Sequence, residues 1–476
     1  MHHHRLLSLV SVLGLATSTA LAALQIVPGG TWTASNGDHL NAHGAGVIRV
    51  NSTFYLIGED KSQGSSFFGV NCYSSVDLVQ WKYEGALLSR TSSSGDLGPN
   101  RIIERPKVIY NNQTKKFVMW MHVDSSNYGD AKVGVATSDT VCGKYNYVNS
   151  FRPLGFESRD MGLFKDDDGK GYLLTEDRKN GLRINPLSPD YLSLSGSTST
   201  HLFPQAIESP ALLKLSNRYY MFGSHLTGWD PNDNVYATAT SLAGPWSDWQ
   251  IFADKGSNTY ASQTTYVLNY GDGNDGKKVM YMGDRWRSKN LRTSSYIWLP
   301  LEISGTKVTM KNRGSWVPNA SSSQTGGGGT WQTSPAETSY EGEKGSYAGG
   351  AKEVSCGKCS EGKAAGYIGG SGSGTGGTNG SITISNVQSN MNGGEGGVTT
   401  LQIRYVNGDT GPRYAGVSVN GGEKVKVAFE GTAGEVRVSS VVVKGLRQGS
   451  GNTIVVSGWE GGGWGPDVDR VVVPVQ

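Results

Sequence analysis

At 476 residues the chain is too long for one ordinary core, so two domains are expected. Lysine plus arginine number 43 against 40 aspartate plus glutamate. That near balance argues against a polyanionic partner such as nucleic acid. The 68 glycines, with plentiful aromatics and no long helical pattern, point to all-β units joined by tight turns.

The chain opens Met1-His2-His3-His4-Arg5, followed by a largely apolar run from Leu6 to Ala22 with small residues at Ala20 and Ala22. This reads as a secretory signal, residues 1–22, cleaved after Ala22. No later stretch is long and apolar enough to span a bilayer, so a secreted, extracellular protein with no membrane contact is expected. Asn51, Asn112, Asn319 and Asn379 each open an Asn-X-Ser/Thr sequence compatible with glycosylation. Four cysteines suit a secreted chain. Cys356 and Cys359 are close enough for a local bridge, which leaves Cys72 and Cys142 as the other pair. A zinc site would need further ligands, and none stands near Cys356.

Residues 24–318 repeat a pattern. A strand rich in aromatic and aliphatic residues recurs five times: Thr53 to Gly58, Lys116 to Met121, Gly171 to Thr175, Arg218 to Gly223 and Lys278 to Gly283. Most copies follow a turn such as Asn51-Ser52 or Asp168-Gly169, and most precede a second strand. At this period of about 50 residues, five units of four strands predict a five-bladed β-propeller, with the innermost strands lining one central channel.

Polar residues at corresponding strand ends should therefore meet at that channel. They are His43, Glu104, Asp160, Glu208 and Gln263. Glu104 lies in Ile-Glu-Arg-Pro and Glu208 in Ile-Glu-Ser-Pro, the same context twice. Glu208 precedes an apolar run into a strand, so burial should raise its pKa toward that of a general acid. Two or three carboxylates around a narrow channel are the apparatus of glycoside hydrolysis. The plainer alternative is that these glutamates cap blade turns.

Residues 319–337 are rich in Ser, Thr and Gly and read as a linker. Residues 338–476 alternate in the manner of a small β-sandwich. Glu341 and Glu343, spaced i and i+2, would share one face of a strand. If the first and last strands pair, Glu341, Glu343 and Asp469 could gather around a hard cation such as calcium, or simply charge the strand edges.

Residues 24–318 resemble glycoside hydrolase family 43, five-bladed propeller enzymes that invert configuration. The run Asp160-Met161-Gly162-Leu163-Phe164 through Asp168-Gly169 is the most family-like. The resemblance implies Glu208 as general acid and Asp160 as the residue that tunes its pKa. Xylosidases and arabinofuranosidases of the family begin blade one with an Asp-Pro pair, whose Asp is the base. Here that place reads Asn41-Ala42-His43-Gly44 and holds no carboxylate. The exo-β-1,3-galactanase subgroup resembles this chain more closely, through Asn-Ala-His-Gly, Ile-Glu-Arg-Pro and Ser262-Gln263-Thr264-Thr265. It implies that Gln263 holds the attacking water, assisted by Glu104; the alternative is that Glu104 is the base. Glu59, Tyr128 and Trp229 are candidate sugar contacts. An inverting site of this kind should separate the acid from the water-holding group by roughly 6.5–9.5 Å.

Residues 338–476 resemble carbohydrate-binding module family 35, through Tyr340-Glu341-Gly342-Glu343, Cys356-Gly357-Lys358-Cys359, Gly366-Tyr367-Ile368-Gly369 and Pro466-Asp467-Val468-Asp469. The resemblance implies calcium at Glu341, Glu343 and Asp469, and a galactose-type ligand near Arg413 and Asp467. Together these readings predict a monomeric, secreted enzyme that releases galactose from β-1,3-galactan of plant arabinogalactan and needs no cofactor for catalysis. An arabinofuranosidase or xylosidase of the same family, or a non-catalytic galactan-binding propeller lectin, is the alternative.

Overall fold

The computed structural model describes residues 24–273, 275–319, 330–370, 379–390, 398–461 and 463–475. The signal sequence expected over residues 1–22, and residues 320–329 of the expected linker, lie outside them.

Residues 43–310 build five four-stranded antiparallel sheets, each from consecutive strands, in an all-β, propeller-like arrangement. The first strands of the sheets are His43–Val50, Arg101–Asn111, Met161–Lys165, Ile207–Leu215 and Gln263–Asn269. Each touches the next, and the last touches the first, so they close a ring. The recurrent aromatic segment is not this first strand but the second, such as Lys116–Ser125 or Val279–Arg285. It is sandwiched between its own neighbours and the adjoining sheets. Phe117 to Asp124 are all buried, which is why the motif reads as an unbroken apolar run rather than an alternating one.

A bulge interrupts four of the five first strands near its start. The pairing slips by one residue between His43 and Gly46, between Glu104 and Lys107, between Glu208 and Ala211, and between Thr264 and Tyr266. Three of these bulges put a residue in the left-handed region: Gly44 (φ 55), Arg105 (φ 51) and Ser209 (φ 57). In Glu-X-Pro, X is that strained residue. The proline that follows has no N–H to leave unpaired where the ladder is broken. The repeated Ile-Glu-X-Pro is thus a bulge that aims its glutamate.

The C-terminal unit has a seven-stranded and a five-stranded sheet sharing one apolar core that includes Ile382, Leu401, Tyr405, Phe429 and Val471. Its first strand, Glu337–Glu341, pairs with its last, Asp467–Pro474, and Glu341 stands opposite Arg470. One strand of the larger sheet comes from the other end of the chain. Thr31–Trp32 pairs in parallel with Ser439 and Ser440. Thr31–Trp32 thus adds a strand to the unit that follows the expected linker at 319–337.

Both cysteine pairs are bonded, Cys72–Cys142 and Cys356–Cys359. Among the glycosylation sequences Asn51, Asn112 and Asn379 are exposed. Asn319 is 9 % exposed and donates its amide to the Thr330 carbonyl at 2.7 Å.

Trp32 joins the two units. Its backbone extends the C-terminal sheet, while its ring stacks on Tyr296 (5.1 Å) and meets Trp298 edge-on (4.8 Å) in the propeller core. Trp32→Ala should lower stability by about 3–5 kcal/mol, read as a shift in the denaturant midpoint.

Candidate active site

The bulged strand ends of the ring open onto a cavity of about 320 Å³. Glu104, Asp160, Glu208 and Gln263 all line it, as the sequence predicts, together with Glu59, Tyr128 and Trp229. His43 does not. It is buried beside the cavity, with Nδ1 2.9 Å from Asp284 Oδ1 and its ring stacked on Tyr296. The first sheet of the ring thus supplies no carboxylate from its first strand. Its carboxylate is Glu59, opposite His43 on the second strand. Gly44 permits this approach, because a Cβ there would stand 2.6 Å from Glu59 Oε1 and 3.1 Å from Arg105 Cα.

Glu208 is 5 % exposed. Burial pushes its carboxyl up, the nearby charge of Asp160 adds to this and Arg105 opposes it; the result is about 9. The group is therefore protonated at neutral pH and able to donate. Asp160 accepts from Arg105 Nε at 2.8 Å and from the Ser209 hydroxyl at 2.7 Å. Ser209 sits between the two acids because its left-handed backbone turns its hydroxyl toward Asp160.

Gln263 is placed differently from its expected role. Its Nε2 donates to Glu208 Oε1 at 2.8 Å and to Ser224 Oγ at 3.2 Å. Its Oε1 accepts from Arg105 at 2.6 Å and from Trp286 Nε1 at 2.9 Å. The amide orientation follows from chemistry, since Arg and Trp side chains can only donate. All four bonding positions of the amide are filled. The 6.5–9.5 Å gap expected between the acid and a water-holding Gln263 is replaced by direct contact.

Glu104 occupies another wall. Its Oε1 accepts from Tyr128 Oη at 3.0 Å and from Lys61 Nζ at 3.3 Å, and its Oε2 lies 3.2 Å from His122 Nδ1. Burial would raise its pKa, but the charge of Lys61, with the bond and charge of His122 and the bond from Tyr128, outweighs that. The carboxyl is held well below the usual range. Lys61 also lies 2.7 Å from Glu59, whose burial raises it to about 7 despite that ammonium. Trp229 meets Trp286 edge-on at 5.0 Å.

Several of these residues escape the sequence reading: Arg105, Lys61, His122, Ser224, Asp284 and Trp286. A signal for some of them exists. His122, Ser224 and Asp284 each follow the aromatic motif on the second strand, at the place Glu59 takes in the first sheet. The register sets each opposite a first-strand polar residue: Glu104–His122, Glu208–Ser224 and Gln263–Asp284.

In the C-terminal unit Asp469 Oδ1 accepts from both the backbone N–H and the hydroxyl of Ser360, and that hydroxyl also reaches Glu341. Glu343 is buried and neither of its oxygens has a hydrogen-bond partner; Asp469 Oδ2 has none either. Among the described residues no three His, Cys, Asp or Glu side chains converge as metal ligands. Arg413 holds Asp409 (2.7 Å) and the Gly465 carbonyl (3.1 Å). Asp467 is half-buried nearby, its carboxyl raised by that burial. Tyr367 and Trp464, each 46 % exposed, meet edge-on at 5.7 Å.

Residues 41–281 match the family model for glycosyl hydrolases family 43. An exo-β-1,3-galactanase from Phanerochaete chrysosporium, solved with galactose, is 37 % identical over 94 % of this chain and 99 % of that one, with a TM-score of 0.63. Another structure of that enzyme holds β-1,3-galactotriose. An exo-β-1,3-galactanase from Clostridium thermocellum is 27 % identical over 93 % of this chain and 99 % of its own, with a TM-score of 0.60. A xylan 1,3-β-xylosidase from a Vibrio species is 27 % identical over 191 residues; the match spans 37 % of this chain and 34 % of that protein.

Titration of the acid pair provides a direct check. In carboxyl-labelled NMR, Glu208 should remain protonated through neutrality and ionise near pH 9. Asp160→Asn removes the neighbouring negative charge and leaves Arg105 unpaired, so the Glu208 midpoint should move down; a midpoint that stays put would contradict the coupling. Taken with the family match over residues 41–281, the site places this chain in glycosyl hydrolase family 43.

Proposed function

We propose that this chain is a secreted, monomeric enzyme that removes galactose from the non-reducing end of β-1,3-galactan, such as the arabinogalactan backbone, with inversion. The observation that carries the reading is likeness at 37 % identity across nearly the whole chain to an exo-β-1,3-galactanase solved with galactose. Two features of the pocket support it. No carboxylate comes from the first strand of blade one, where a xylosidase or arabinofuranosidase keeps its base. The cavity is also at the small end of ligand pockets, about 300–1,000 Å³, which suits a chain terminus. On this reading the ring of sheets is a five-bladed propeller and the C-terminal unit a β-sandwich module.

Glu208 protonates the glycosidic oxygen as the bond to the leaving sugar breaks. Asp160 keeps that proton on Glu208 until substrate arrives. Gln263 acts through Glu208: its N–H already points at Oε1, and that bond strengthens once the carboxyl becomes a carboxylate. The water falls instead to Glu104, an ionised carboxylate on another wall of the pocket from the Asp160–Arg105 pair. Tyr128, Lys61 and His122 hold Glu104 in place while it orients the water toward the anomeric carbon. Glu59 and Trp229 hold the terminal sugar, one by accepting from hydroxyls and the other by packing on the ring.

The C-terminal module would bind polymer through the exposed Tyr367–Trp464 pair beside Arg413 and Asp467. This is the family 35 reading, with a galactose-type ligand. Calcium fits its carboxylate group in part. Glu343 and one oxygen of Asp469 are buried without hydrogen-bond partners, the latter 3.7 Å from Arg470 Nε, and burial with the charges of Glu341 and Glu361 raises Glu343. A hard cation would relieve both. Glu341, Glu343 and Asp469 would hold it after Ser360 is displaced, and its part would be structural.

Glu208→Gln should cut galactose release from β-1,3-galactotriose by about 10²–10⁴-fold with folding unchanged. Proton NMR in the first minutes of wild-type turnover should detect α-galactose before its β anomer. Retained turnover in the variant, or β-galactose first, would reject the mechanism. For the cation, calcium should raise the melting temperature of the whole protein and chelator should reverse it. Asp469→Ala should lose the response, and equal melting curves with and without calcium would remove the site.

A further inference from the structure

We infer that Lys107 is a positioning residue for the hydrolysis proposed above, on which this role rests: it ties the bulges of blades one and two together beneath the pocket. Lys107 lies three residues beyond Glu104, where the pairing of that strand resumes opposite Trp120. It is 2 % exposed. Its ammonium donates to the Gly44 carbonyl at 2.6 Å and to the Arg105 carbonyl at 3.3 Å. Those carbonyls belong to the two left-handed residues of the adjacent bulges.

Among the described residues no carboxylate lies within ion-pair distance of Lys107. Burial, with the charge of Arg105 beside it, pushes its ammonium down to about 7. A buried cation without a counterion is costly, and an apolar side chain of the same length would avoid that cost. Such a side chain could not bond the two carbonyls. The neighbouring blade makes room for the lysine. A Cβ built on Gly46 would stand 2.6 Å from Lys107 Cδ, so the stem passes through the space a side chain of blade one would fill.

The consequence for the pocket is geometric. Gly44 is packed against Glu59 Oε1 and the Arg105 backbone. Arg105 holds Asp160 and Gln263, and Glu104 precedes it in the chain. Fixing the spacing of Gly44 and Arg105 therefore fixes Glu59, Glu104 and Arg105 together. Lys107 also stands at the boundary of two cavities. Glu104 and Arg105 line the catalytic pocket, whereas Lys107 and Gly46 line a second cavity of about 510 Å³.

The test compares wild type, Lys107→Met, Glu104→Gln and the double variant on β-1,3-galactotriose. Lys107→Met should keep the wild-type near-UV circular dichroism and lower kcat roughly ten- to a hundredfold, with KM altered less than about threefold. Glu104→Gln should cost less in the Lys107→Met background than in wild type. Active wild type with kcat of Lys107→Met within about twofold, or with losses that simply multiply, would overturn the inference. Wild type that releases no galactose would instead reject the proposed function. A crystal structure of Lys107→Met decides the placement independently of turnover: displaced Glu104 and Arg105 side chains support it, and unmoved ones refute it.

Discussion

The Arg105 guanidinium is the tie on which the catalytic arrangement depends. From a bulge in the second sheet of the ring it reaches Asp160 at the third at 2.8 Å, the Gln263 amide of the fifth at 2.6 Å and the Thr264 carbonyl at 3.1 Å. Its planar fork can serve these partners at once, which a lysine could not. The guanidinium keeps its charge despite burial because carboxylates lie beside it, Asp160 first and then Asp284. That charge in turn limits how far the Glu208 proton is held. One side chain thus sets both the geometry and the electrostatic balance of the acid.

Strain in the backbone makes this reach possible. Arg105 and Ser209 both occupy the left-handed region, which disfavours residues with a Cβ. Each lies at a bulge and is followed by proline. The surrounding sheet ladders hold the conformation, and the gain is direction: Glu104 and Glu208 face the axis, and the residue after each reaches Asp160 at a neighbouring sheet. The two glutamates share a motif yet carry opposite protonation. Glu104 meets Lys61, His122 and Tyr128, all donors, and is ionised. Glu208 meets the field of Asp160 and stays protonated. Environment, not sequence context, separates the protonation states of the two glutamates.

The two halves of the chain are bound by more than a linker. Thr31–Trp32 closes one edge of the C-terminal sheet and anchors its tryptophan in the propeller core. Lys426 pairs with Asp38, and the Asn290 amide reaches the Thr410 carbonyl.

The repeats, the bulged Ile-Glu-X-Pro motif and the set of pocket carboxylates were legible in the chain, because strand period, proline and aromatic runs are local properties. The burial of Glu208 followed from its apolar flank together with the repeated Ile-Glu-X-Pro context. What the sequence could not decide is which polar groups touch. Gln263 contacts Glu208 instead of facing it across the pocket, because the amide is pinned by Arg105, Trp286 and Ser224, residues far apart in the chain. The aromatic repeat turned out to be the second strand, since burial on both faces, not position at the axis, makes a strand apolar throughout. The boundary between units also depended on the tertiary structure. A two-residue strand such as Thr31–Trp32 has no periodicity to read, and only the exposed edge of a distant sheet gives it a partner.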